Sequence, residues 1–165
     1  MANRSGAANV HLIAHSMGNR GLLRAFTSVV DRISSSIDVP LKQIFLAAPD
    51  VDVELFRRLA AAYATVAERT TMYVSGKDKA LWSSGIVHDY PRAGYAPPVT
   101  VVSGIDTVEV TNIDLSFLGH GYIAEVQRVL QDMKVLMETN VPPPRRFGLQ
   151  ACSNSDKAIY WRMNL

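Results

Sequence analysis

Short β-branched and apolar runs alternate with helical periodicity along most of this chain. Val10 to Ala14 is an apolar run, and Leu22, Leu23, Phe26, Val29 and Val30 follow it at the spacing of one helix face. Leu41 to Ala48 holds a second strand centred on Ile44-Phe45-Leu46. Leu55, Phe56, Leu59, Ala60, Tyr63, Val66 and Ala67 then trace one face of a long helix. Thr70 to Ser75 reads as a third strand, with a short helix over Lys79 to Val87. Pro and Gly mark His88 to Pro98 as a loop. Val99–Val102 and Thr107–Thr111 are strand-like, separated by Ser103-Gly104-Ile105-Asp106. Tyr122, Ile123, Val126, Val129, Leu130, Met133 and Leu136 form the last helical stripe. Beyond it, Pro142-Pro143-Pro144 favours extended polyproline geometry and opens a tail ending in Ile159-Tyr160-Trp161.

Strands alternating with helices predict an α/β fold, a mostly parallel sheet with helices on both faces. In such sheets ligands sit at the C-terminal ends of the strands, so the residues after each strand are where chemistry is expected.

Composition narrows the classes. A length of 165 residues favours one domain, read here as a unit over 1–138 with a Pro-rich tail over 139–165. At 48% hydrophobic and 19% charged the chain carries more core material than a disordered segment. A net charge of +2, with no basic stripe, argues against a nucleic-acid partner. The single Cys152 excludes an internal disulfide framework and a Cys-based zinc cage. No apolar run approaches the roughly 20 residues of a membrane span, and no signal peptide is visible. A soluble, cytoplasmic domain is the expectation.

The first strand runs through Ala14-His15-Ser16-Met17-Gly18 directly into a helix. This fits the strand–Ser–helix elbow, in which a sharp turn lifts a serine hydroxyl above the sheet. Small residues two before and two after the serine are required because strand and helix backbones pass close together. The plainer reading is a serine that caps a helix. A serine is a poor nucleophile until a base takes its proton. Of four histidines, His11 lies within a strand and His15 in the elbow, pointing away from the hydroxyl. His88 sits in a loop and is the lesser candidate. His120, in Leu118-Gly119-His120-Gly121, follows the last strand, and its flanking glycines would let the loop bend towards Ser16. The base needs a carboxylate to fix its tautomer. Asp78, in Ser75-Gly76-Lys77-Asp78, follows the third strand; Asp50, after the second, is the alternative acid, and Asp52 reads as a helix cap. Asp114 reads as a solvated loop charge, with a carboxylate that orients the His120 loop as the alternative. The order Ser16, Asp78, His120 is that of the α/β-hydrolases.

The stretch from Val10 to about Met137 resembles the C-terminal half of an α/β-hydrolase. Leu12-Ile13-Ala14-His15-Ser16-Met17-Gly18-Asn19, Ala47-Ala48-Pro49-Asp50-Val51-Asp52, Gly104-Ile105-Asp106-Thr107-Val108 and Gly119-His120-Gly121-Tyr122 resemble a mostly bacterial subfamily of unknown function. The Arg145-Arg146-Phe147-Gly148-Leu149 stretch resembles it too. The resemblance implies Ser16 as nucleophile, Asp78 as acid and His120 as base, with the Met17 backbone N–H as an oxyanion donor. It implies a serine hydrolase of esterase, lipase or thioesterase type acting through an acyl-enzyme on a small acyl ester or thioester. No metal or organic cofactor is implied.

A whole hydrolase of this kind has about eight strands with its elbow after the fifth, whereas here the elbow arrives at residue 16. The expectation is a partial, N-terminally truncated fold lacking the loop that gives the second oxyanion donor, a loss worth roughly 10²–10³ in rate. Its first strand would leave an apolar edge unpaired, inviting a homodimer or the missing N-terminal half. The competing reading is a non-catalytic remnant or interaction module on the same fold.

Overall fold

The computed structural model describes residues 6–36, 41–77, 90–110 and 123–164. Among these residues six strands form one sheet: β1 (His11–His15), β2 (Leu41–Ala47), β3 (Ala67–Val74), β4 (Ile105–Val110), β5 (Leu149–Ser153) and β6 (Ile159–Met163). Their order across the sheet is β1-β2-β3-β4-β6-β5, parallel throughout except for the antiparallel β5–β6 pair. The described helices are α1 (Gly18–Ser36), α2 (Val53–Leu59), α3 (Ala61–Val66) and α4 (Ile123–Thr139).

Alternation along the central strands sorts the core into two layers. Ile44, Leu46, Met72 and Val74 face one way and pack with Leu23 and Phe26 of α1, Phe56 of α2 and Tyr63 of α3. Phe45, Tyr73, Val108 and Val110 face the other way, against Val129, Met133 and Leu136 of α4. Helices therefore cover both faces, as the sequence pattern predicts. Leu130, expected in the α4 stripe, is instead exposed. The side chains of Val29, Val30, Ile123 and Val126, residue Tyr122, and the helix expected over 79–87 lie outside the described residues.

Three local readings are corrected. The helix expected through Leu55–Ala67 breaks after Leu59 into α2 and α3, and Ala67 already opens β3. Ala60 closes the first helix, donating its N–H to the Phe56 carbonyl, and stands at the start of the next. Val99–Val102 is not a strand, whereas Ile105 and Asp106, read as a separator, belong to β4 and pair with Thr70 and Thr71. The segment after residue 138 is not a polyproline tail. Pro143–Arg145 forms a 3-10 turn, and β5 and β6 make a hairpin that joins the sheet beside β4. The β4 edge offers unpaired backbone groups, and the backbone of Trp161–Met163 pairs with them.

At the opposite edge, β1 has β2 as its only neighbour among the described residues. Val10 and Leu12 pack on the core, while Ile13, on the other face, is 56% exposed. This edge strand with incomplete cover is the one the sequence predicts.

Two buried tyrosines make opposite demands. Tyr63 packs edge-on against Phe26, with ring centroids 5.8 Å apart, and its hydroxyl has no hydrogen-bond partner among the described residues. Burial raises its pKa well above the ordinary phenol range. Tyr73 donates its hydroxyl to Asp132 Oδ2 at 2.7 Å. Tyr63→Phe should therefore leave stability unchanged or raise it by up to about 1 kcal/mol, whereas Tyr73→Phe should cost about 1.5–3 kcal/mol. Urea unfolding of both variants checks the contrast, and equal losses would contradict it. Hydrogen exchange should also find β1 the least protected of the four parallel strands β1 to β4; protection equal to that of β2 in a monomeric sample would refute this.

Candidate active site

Ser16 is the first residue after β1 and holds a left-handed backbone, with φ of 49°. That conformation costs a non-glycine residue about 1–3 kcal/mol and persists only where its surroundings over-determine it. They do so here. The Ser16 N–H donates to the Ala47 carbonyl at 3.0 Å. Its carbonyl accepts from the Asn19 N–H at 3.1 Å, the Asn19 side-chain amide at 3.0 Å and the Asp50 N–H at 3.3 Å. Asn19 is fully buried and also donates Nδ2 to the Ala47 carbonyl at 3.3 Å. The chain then enters α1 at Gly18, two residues beyond Ser16, so the turn is as sharp as the Ala14-His15-Ser16-Met17-Gly18 pattern predicts. Met17 projects a 65%-exposed side chain, and its N–H donates to no acceptor among the described residues.

The turn after β2 is clamped to this elbow. Ala48 is also left-handed, with φ of 44°, and donates its N–H to the Tyr73 carbonyl at 3.0 Å. Asp50 is buried, and its carboxylate meets Arg20 Nη2 at 3.1 Å on one oxygen and Arg92 Nε at 3.2 Å on the other. Arg20 lies in the first turn of α1 and also donates Nε to the Asp50 carbonyl at 2.5 Å. Asp52 caps α2, accepting the Leu55 N–H at 2.8 Å, as its sequence position suggests.

A third segment, residues 91–96, laces the ends of β2 and β3 together. Ala93 and Gly94 donate their N–H groups to the Val51 and Pro49 carbonyls, each at 2.9 Å. Ser75, just past β3, donates its N–H to the Gly94 carbonyl at 3.0 Å. Two glycines make this approach possible. A Cβ on Gly94 would meet the Ala48 and Pro49 backbone at 2.5 Å, and one on Gly76 would meet the Ala96 carbonyl oxygen at 2.3 Å. The Ser75-Gly76-Lys77 turn is further fixed by the Lys77 N–H donating to Ser75 Oγ at 3.2 Å.

Three of the residues singled out from the sequence are thus in view. Ser16 and Met17 form the elbow, and Asp50 reaches it through its own N–H. Asp78, His120, His88 and Asp114 lie outside the described residues. Sequence reasoning missed Asn19, Arg20 and Arg92. Helix spacing alone places Asn19 and Arg20 three and four residues after the serine, within reach of its carbonyl and of the turn after β2. Arg92 carried no such signal. Among the described residues no group of His, Cys, Asp and Glu could hold a metal ion. No helix among them is long and apolar enough to cross a membrane.

Parallel strands in sequential order, helices on both faces and a left-handed serine between strand and helix define the class: this is the arrangement of an α/β-hydrolase. The family described as alpha/beta hydrolase of unknown function (DUF900) matches residues 1–138, and the chain belongs to it. No curated protein and no solved structure matches the chain.

The clamp yields a paired test. Gly94→Ala must push apart two backbones and should cost about 1–3 kcal/mol. Gly21→Ala, in α1 with open space around it, should instead stabilise by about 0.5–1 kcal/mol. Thermal melts of both variants measure this; a neutral Gly94→Ala would show that the 91–96 segment does not press on the turn after β2.

Proposed function

We propose that the protein is a serine hydrolase of the esterase, lipase or thioesterase type, acting on a small acyl ester or thioester through an acyl-enzyme. The observation that carries this reading is the left-handed backbone of Ser16 between β1 and α1, which four hydrogen bonds impose. Strain of this kind in a helix cap would serve nothing, since a serine caps a helix from ordinary extended geometry. In an elbow it raises the hydroxyl clear of the sheet.

In this mechanism His120 takes the proton from Ser16 Oγ as the oxygen attacks the acyl carbon. The Met17 N–H donates to the oxyanion of the tetrahedral intermediate, and its lack of an acceptor among the described residues leaves it able to do so. His120 then protonates the leaving alcohol or thiol, and water releases the acyl group by the same path in reverse. Asp78 holds the imidazole in the required tautomer. Asp50 is the reserve for that task, but a carboxylate already paired with Arg20 and Arg92 is poorly placed to orient an imidazole as well. Its role in this reading is to tie the turn after β2 to α1.

A fluorophosphonate probe tests the reading. It should label Ser16, with labelling lost in Ser16→Ala and unchanged in Cys152→Ala. The labelling rate should rise with pH through the ordinary imidazole range, because a general base works only in its neutral form. His120→Gln should remove that pH dependence along with most of the rate. Absence of labelling in the folded protein, or labelling that survives Ser16→Ala, would favour a non-catalytic role for the fold.

A further inference from the structure

A concavity lies across the sheet from β1, between α4 and the segment that returns from it into β5. Its volume is about 460 Å³, within the range of small-molecule sites. Arg128, Asp132 and Val135 line it from α4, and Arg145, Arg146 and Phe147 from the returning segment. Val141 and Met163 complete the apolar wall.

The charges here do not cancel. Among the described residues Asp132 is the one carboxylate lining the cavity, and it is already committed: Arg146 donates Nε to Oδ1 at 3.0 Å and Nη2 to Oδ2, while Tyr73 donates to Oδ2. The Arg146 side chain is fully buried, and its Nη1 has no partner among the described residues. Burial works against the charge on Arg146, but the bond to Asp132 and the proximity of Tyr73 outweigh it and hold the guanidinium protonated. Arg128 and Arg145 have no acidic partner among the described residues and add two further positive charges at the cavity. Arg128 is held against the turn that carries the other two. Gly148, with φ of +77°, leaves room that a Cβ would fill at 2.6 Å from Arg128 Nη2. Beside these cations Phe147 stands 93% exposed, an apolar ring with nothing covering it among the described residues.

We propose that this cavity binds a small amphiphilic anion, a carboxylate or phosphate monoester bearing an apolar body. Arg128 and Arg145 take the head, and Val135, Val141, Met163 and Phe147 take the body. Guanidinium pairs suit such a head because their N–H forks match the oxygens of carboxylate and phosphate. The cavity walls supply the apolar contact that a bare anion would not use. This assignment is independent of the chemistry at Ser16 and gives the Arg145-Arg146-Phe147-Gly148-Leu149 stretch a function.

Calorimetric titration of the full chain with octanoate, octyl phosphate, octanol and inorganic phosphate tests the proposal. At least one of the two amphiphilic anions should bind with a single site, about tenfold or more tighter than octanol or inorganic phosphate. Octanoate alone would identify a carboxylate ligand, octyl phosphate alone a phosphate ester. The double variant Arg128→Gln/Arg145→Gln, which leaves the Arg146–Asp132–Tyr73 bonds intact, should weaken that binding about tenfold or more with its melting temperature unchanged. Equal binding of octanol or inorganic phosphate, no binding of either amphiphile, or binding that the double variant retains would overturn the proposal. The last result would place the ligand elsewhere, including at Ser16.

Discussion

The site described here depends on one backbone conformation. Ser16 sits at a φ that a side chain disfavours, and the surrounding chain is organised to hold it there. The β1–β2 pairing brings the Ala47 carbonyl to the Ser16 N–H, and the first turn of α1 brings Asn19 to its carbonyl. The turn after β2 adds the Asp50 N–H and, through the Asp50 carboxylate, the Arg20 and Arg92 guanidinium groups. Each contact is a modest one, worth about 1 kcal/mol in isolation. Acting on one turn they exceed the strain and fix the serine. The proposed function needs such fixed positioning.

The two layers of core contribute to the same end. The side chains of Gln43–Ala47 in β2 and Thr70–Val74 in β3 are buried on both faces, so neither strand can shift register without exposing apolar surface. The C-terminal ends of the strands therefore form a stable rim, and the 91–96 segment binds β2 to β3 along it. On the α4 face, Tyr73 extends this order towards Asp132 and Arg146, joining the central strand to the hairpin that closes the sheet.

Much of this was legible in the sequence, for identifiable reasons. Ile44-Phe45-Leu46 is an uninterrupted apolar run because both faces of β2 are covered. The elbow was legible because a strand, a serine with small residues two positions to either side and a helix follow one another without a gap. Local pattern failed where the deciding partner was distant. The 55–67 stripe has helical spacing throughout, but β2 pairs with the chain from Ala67 onward and ends the helix there. Three prolines read as an extended tail, yet the open edge of β4 recruited the following strands. Arg92 gave no sign of its role, since its partner Asp50 is on another loop.

The central claim is that the strained turn at Ser16 presents a nucleophile to a base and an oxyanion donor. A crystal structure of the phosphonylated protein tests this most directly. The account predicts phosphorus bonded to Ser16 Oγ, the phosphoryl oxygen within hydrogen-bond reach of the Met17 N–H, and the His120 imidazole beside the adduct. An adduct on another residue, or one on Ser16 with the phosphoryl oxygen turned away from Met17 and His120 out of reach, would contradict it.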